Sequence, residues 1–130
     1  MTHQEIEMIL TRQLASYLAM PMFIVDPKGN LIFYNEPAEA ILGRRFEETG
    51  EMPATEWTRA FRASDEQGAP IPPEAQPLTI AFAERRPVHG RLWIRGLDNV
   101  RRLIEATCFP LTGQAQRYLG AVAIIWEVKE

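Results

Sequence analysis

Residues 89–128 constrain the fold of this chain more than any other stretch. Three strand-length runs follow one another there: His89–Leu97, Val100–Leu111 and Tyr118–Val128. Turn-forming pieces separate them. Asp98-Asn99 is a tight hairpin turn whose residues both tolerate left-handed backbone, and Thr112-Gly113-Gln114 joins the second run to the third. Successive strands with such short connections pair antiparallel. Side chains alternate across a strand, so parity splits the residues into two sets. One holds Leu92, Ile94, Ile104, Ala106, Cys108, Ala121, Ala123 and Ile125; the other holds Trp93, Leu103, Phe109, Val122, Ile124 and Trp126. Both sets are apolar. An antiparallel sheet with one wet face alternates apolar with polar residues, so this sheet calls for cover on both sides.

The rest of the chain supplies helices and one more hairpin. Ile6, Ile9, Leu10, Leu14, Tyr17 and Leu18 recur at spacings of three and four, which predicts an amphipathic N-terminal helix that Pro21 ends. Met22–Val25 and Leu31–Tyr34 read as strands around the turn Asp26-Pro27-Lys28-Gly29-Asn30. Asn35 is an N-cap, Pro37 suits a first turn and Gly43 suits the position after a last turn, which frames a short helix. Residues 44–76 are the least regular part, with Trp57 and Phe61 as core anchors. Pro77–Arg85 is helical, with Leu78, Ala81 and Phe82 on one face. With 130 residues, 46% of them hydrophobic, the chain builds one domain. A five-stranded antiparallel sheet with helices on one face is an α+β architecture. The N-terminal helix occupies residues 1–18 and the domain proper 19–130.

The residues Phe23-Ile24-Val25-Asp26-Pro27-Lys28-Gly29-Asn30-Leu31-Ile32-Phe33-Tyr34-Asn35 resemble the opening hairpin of PAS domains. Ala38-Glu39-Ala40-Ile41-Leu42-Gly43 is similar to the helix that follows it, and the last third resembles the three closing PAS strands. The resemblance covers about residues 15–128. It implies a sensory or signalling module, typical of bacterial signalling proteins. Such a module binds a small molecule between sheet and helices and passes the event to a partner, or it mediates dimerisation. It also implies that the set containing Ala106 and Ala123 faces the helices.

Known chemistries of such modules find little support. Flavin photosensors use a cysteine on the helix after the hairpin; here that region reads Gly43-Arg44-Arg45-Phe46, and the single cysteine, Cys108, lies on a late strand as a small core residue. Haem relatives take an axial histidine near the long helix. Only His89 is near, and its parity puts it with Arg91, Trp93 and Arg95, so haem is not expected. One cysteine and two distant histidines offer no ligand set for zinc or an iron–sulfur cluster. No nucleophile–base set, phosphate loop or paired metal motif is visible, so no enzyme is expected. A net charge of −3 argues against a general nucleic-acid or anionic-membrane binder. No run approaches the roughly 20 apolar residues of a membrane span. Together with the lone cysteine and the absence of a signal peptide, this points to a cytoplasmic protein.

Two functional expectations follow from the faces of the sheet. On the helix side Ala106, Cys108, Ala121 and Ala123 put small side chains at the centre. Either Trp57, Phe61 and Phe82 fill the space above them, or a small, mostly apolar ligand does. The candidate pocket is Trp57, Phe61, Phe82, Ile94, Ile104, Ala106, Cys108, Ala121, Ala123 and Ile125. On the outer side Trp93, Phe109, Ile124 and Trp126 need cover, which Ile6, Leu10, Leu14 and Tyr17 of the N-terminal helix supply, within one chain or across a homodimer. The alternatives are thus a ligand-binding sensor that regulates a signalling partner, a pure dimerisation or docking domain with a filled core, and, remotely, a small-molecule enzyme on a similar fold.

Overall fold

The computed structural model describes residues 9–11, 13, 14, 17 and 19–128. Strands β1 (Met22–Val25) and β2 (Leu31–Tyr34) form the opening hairpin. The Asp26 carboxylate organises its turn, accepting hydrogen bonds from the backbone N–H groups of Lys28 at 2.9 Å and Asn30 at 3.0 Å. Gly29 takes φ +88° there, a conformation that favours glycine.

Helix α1 (Glu36–Leu42) begins at Asn35. The Asn35 side-chain oxygen accepts from the N–H of Ala38 at 3.2 Å, as an N-cap does, and from Met22 at 3.0 Å; its amide donates to the Met20 carbonyl at 2.8 Å. One buried side chain thus fixes the helix start and the entry into β1. Gly43 closes the helix with φ +84°, its N–H donating to the Glu39 carbonyl.

The irregular stretch contains helices α2 (Phe46–Thr49) and α3 (Ala54–Ala60) and a 3-10 turn at Pro73–Ala75. Its irregularity has a use, because it pairs with one residue of each edge strand of the sheet. Met52 exchanges backbone hydrogen bonds with Leu31 on β2 at 2.7 and 2.9 Å, and Ser64 does the same with Trp93 on β3 at 2.8 Å each. At those points the edge is covered and less open to pairing with another chain. Helix α4 (Pro77–Glu84) follows, with Pro77 in its first turn.

Strands β3 (Val88–Arg95), β4 (Arg101–Thr112) and β5 (Tyr118–Glu127) complete a five-stranded, fully antiparallel sheet of order β2-β1-β5-β4-β3. The β3–β4 connection is wider than the two-residue Asp98-Asn99 turn expected from the sequence. Asn99 does take φ +65°, but the ladder ends at Arg95 because the Leu97 N–H donates to the Leu42 carbonyl at 2.6 Å instead. That contact forces close approach: a Cβ on Gly96 would stand 2.6 Å from the Leu42 oxygen.

The main core lies between the sheet and the helices, around Phe23, Leu31, Tyr34, Leu42, Trp57 and Ile104. A smaller cluster of Met22, Ile24 and Val122 lies on the other side of the sheet. Among the described residues no helix is long and apolar enough to cross a membrane.

Candidate functional site

Four strands and two helices meet around one cavity. Register places Cys108 beside Ala123 and Ala123 beside Phe23, so the small side chains of β4 and β5 line up across the sheet centre. From the helical side Trp57 and Phe61 reach down to them. The Phe61 ring meets Phe23 edge-on at 5.1 Å and Trp57 at 6.2 Å. The Trp57 indole N–H donates to the Gly29 carbonyl at 2.9 Å, which ties α3 to the β1–β2 turn and fixes the ring. These aromatic rings take up most of the volume that Ala106, Cys108 and Ala123 leave open. The remaining cavity measures about 40 Å³. That holds about three water-sized spheres, against the roughly 300–1,000 Å³ of an ordinary ligand pocket.

Eight of the ten residues read as pocket positions line this space: Trp57, Phe61, Ile94, Ile104, Ala106, Cys108, Ala123 and Ile125. Phe82 and Ala121 do not. Phe82 lies under the β1–β2 turn, where a Cβ on Gly29 would come within 3.3 Å of its ring, and its carbonyl accepts from the Tyr118 hydroxyl at 2.9 Å. Ala121 is fully buried farther along β5, opposite Val25 and Pro110. Phe23, Ala63, Gln76, Pro77, Leu78 and Leu92 complete the wall. Gln76 escaped the sequence reading. Standing before Pro77, it reads as a surface turn residue, yet it is buried and its amide donates to the Thr58 carbonyl at 3.0 Å.

Cys108 faces this apolar space, and burial pushes its thiol up to about 12. The thiol is therefore neutral and a poor nucleophile. His89 stands on the solvent side of β3, its Nδ1 2.8 Å from the Thr107 hydroxyl, and does not line the cavity.

The outer face divides into two halves. Around β1, β2 and β5 it is apolar: Ile24 and Val122 are fully buried, with Ile32, Phe33, Phe109, Leu111 and Ile124 packed half-exposed around them. Toward β3 and β4 it is polar and charged. The Arg101 guanidinium lies 3.9 Å over the Trp93 ring, and the Trp126 indole N–H donates to Glu105 at 3.0 Å. Glu105 also pairs with Arg91 at 2.7 Å, and the hydrogen bond from Arg91 holds its carboxyl below the usual range. Of Trp93, Phe109, Ile124 and Trp126, the second and third pack in the apolar half, while the rings of Trp93 and Trp126 carry the polar contacts just described. Of the N-terminal interface positions, Leu10, Leu14 and Tyr17 are exposed by 58%, 57% and 87% in the single chain. Ile6 lies outside the described residues.

A family model described as the PAS domain matches residues 19–130. This chain belongs to the PAS family. Solved PAS structures share its fold at low identity. The PAS domain of a Colwellia psychrerythraea protein superposes with a TM-score of 0.63 at 16% identity, covering 94% of this chain and 97% of that one. The PAS domain of Bordetella pertussis BvgS gives 0.68 at 14%, covering 95% and 88%. The Rhodobacter sphaeroides LOV protein gives 0.71 at 15%, covering 98% of this chain and 69% of that one. No curated protein matches the chain. The PAS sheet and its helices account for every element described above, and PAS domains are sensory and signalling modules.

Proposed function

We propose that this PAS domain is a non-enzymatic signalling module that works by self-association and so regulates a signalling partner. One observation carries the reading. The described residues present two apolar surfaces with area left open to a partner: the exposed Leu10, Leu14 and Tyr17 on the N-terminal segment, and the partly exposed patch of Phe109 and Ile124 on the outer sheet. A second copy satisfies both by symmetry, helix to sheet, in an isologous pair. Light scattering on the purified chain tests this. A dimer is expected, and Leu14→Glu, at an exposed position, weakens it about tenfold or more. A strict monomer at high concentration sinks the proposal.

A second reading is sensing of a small, mostly apolar molecule. It is favoured by the small, apolar cavity over the sheet centre, bordered by a single glutamine. Its present size fits a filled core unless its wall can open.

A further inference from the structure

The wall in question is Gln76. This residue lines the cavity from inside and also lines a groove of about 480 Å³ on the outer surface, beside the end of α3. Ala63 is the other residue common to both. Gln76 therefore stands between a small space among buried side chains and a larger groove at the surface. Its side chain is held by one hydrogen bond, from its amide to the Thr58 carbonyl at 3.0 Å. Turning it aside costs that bond and frees the volume of the side chain between the two spaces.

The two spaces differ in chemistry. The cavity wall is apolar apart from Gln76 and the neutral Cys108. The groove lining contains Arg59 and Arg62 and no acidic residue, in a chain where acids outnumber bases 17 to 14. Arg59 is exposed and, among the described residues, forms no ion pair. Arg62 is anchored by its Nη2, which donates to the Gly96 carbonyl and the Asn99 side chain at 3.2 Å each. Its backbone takes φ +38°, a sparsely populated conformation for a residue with a side chain. A planar guanidinium fork matches a planar carboxylate.

We propose that Gln76 gates a small-molecule site joining cavity and groove. The ligand is a small aryl or alkyl monocarboxylate. Its apolar body enters the cavity and its carboxylate stays in the groove on Arg59 and Arg62. The proposal rests on the sensing reading and adds to it a gate, a polarity and a ligand class.

Methyl NMR of the whole chain, titrated with phenylacetate and with neutral phenylacetamide, tests it. Phenylacetate is expected to shift the Ile104, Ala123 and Ile125 methyls saturably, and phenylacetamide to bind about tenfold more weakly. Arg59→Gln removes that preference, Ala123→Leu removes the cavity shifts, and Gln76→Ala speeds ligand dissociation about tenfold. Equal binding of the two probes, or a preference that survives Arg59→Gln, overturns the ligand class while leaving sensing intact. Phenylacetate binding that Ala123→Leu does not touch overturns the joined site. An unchanged dissociation rate in Gln76→Ala overturns the gate. If neither probe nor benzene moves the cavity methyls, sensing and gate fall together.

Discussion

Asp98 shows how much one side chain can hold in this protein. Its carboxylate accepts from the Val100 N–H at 3.1 Å and from Arg102 at 3.1 Å, and Arg102 in turn donates to the Ile41 carbonyl at 3.0 Å. The β3–β4 turn is thereby fastened to the end of α1. Gly43 leaves the room for this, since a Cβ there would come within 2.5 Å of the Asp98 side chain. The hydrogen bond from Arg102, above all, holds the Asp98 carboxyl below its ordinary value of 3.8. A carboxyl whose folded value is depressed adds stability above its unfolded value, and that stability is lost as pH falls through the folded one. Asp98→Asn is therefore expected to cost about 1–2 kcal/mol at neutral pH, with the cost vanishing as pH drops below the ordinary carboxylate value. Urea melts of both proteins across that range check it; a cost that stays constant with pH would refute it. Tyr34 is a second such residue. Its buried hydroxyl donates to the Arg44 carbonyl at 3.0 Å, and burial raises its pKa.

At the scale of elements, α3 and the β1–β2 turn act as one unit through the Trp57 indole. Trp57→Phe keeps the ring but leaves the Gly29 carbonyl without its donor, an expected cost of about 1–3 kcal/mol. The loss is expected to be local first, with hydrogen exchange at Leu31 and Met52, which bridge to each other beside this contact, accelerating before that of β4 and β5. Uniform acceleration would show that no such unit exists. Part of this arrangement is legible in the sequence. Asn35, Gly43 and the Asp26 turn act on backbone a few residues away, so their roles can be read from spacing. The inner and outer sets of β3, β4 and β5 were legible because period-two alternation fixes faces. Met52, Ser64 and Gln76 do their work on partners 18 to 29 residues distant or on a cavity, and no local pattern marks them. The division of the outer face was hidden for the same reason. Arg101 over Trp93 and Glu105 on Trp126 are cross-strand pairs, and parity assigns a face without naming who covers whom.

At the scale of the whole molecule, the strand that follows all the others is also the one at the centre. β5 pairs with β1 on one side and β4 on the other, and contributes Ala121, Val122 and Ala123 to two apolar clusters. A chain ended before Tyr118 splits the remaining strands into two unconnected hairpins, and isolated hairpins are marginal in water. Such a truncation is expected to lack cooperative unfolding by circular dichroism; a sharp transition would contradict this. The strand order also sets a clock. Val25 and its neighbour Ala121 are joined only after the ribosome has made everything between them. At about 5–20 residues per second that is roughly 5–20 s. Throughout that interval the apolar β1–β2 hairpin has no central strand to pair with. Synthesis is therefore the stage at which this hairpin is most open to wrong partners, and slow codons late in the message would lengthen that exposure.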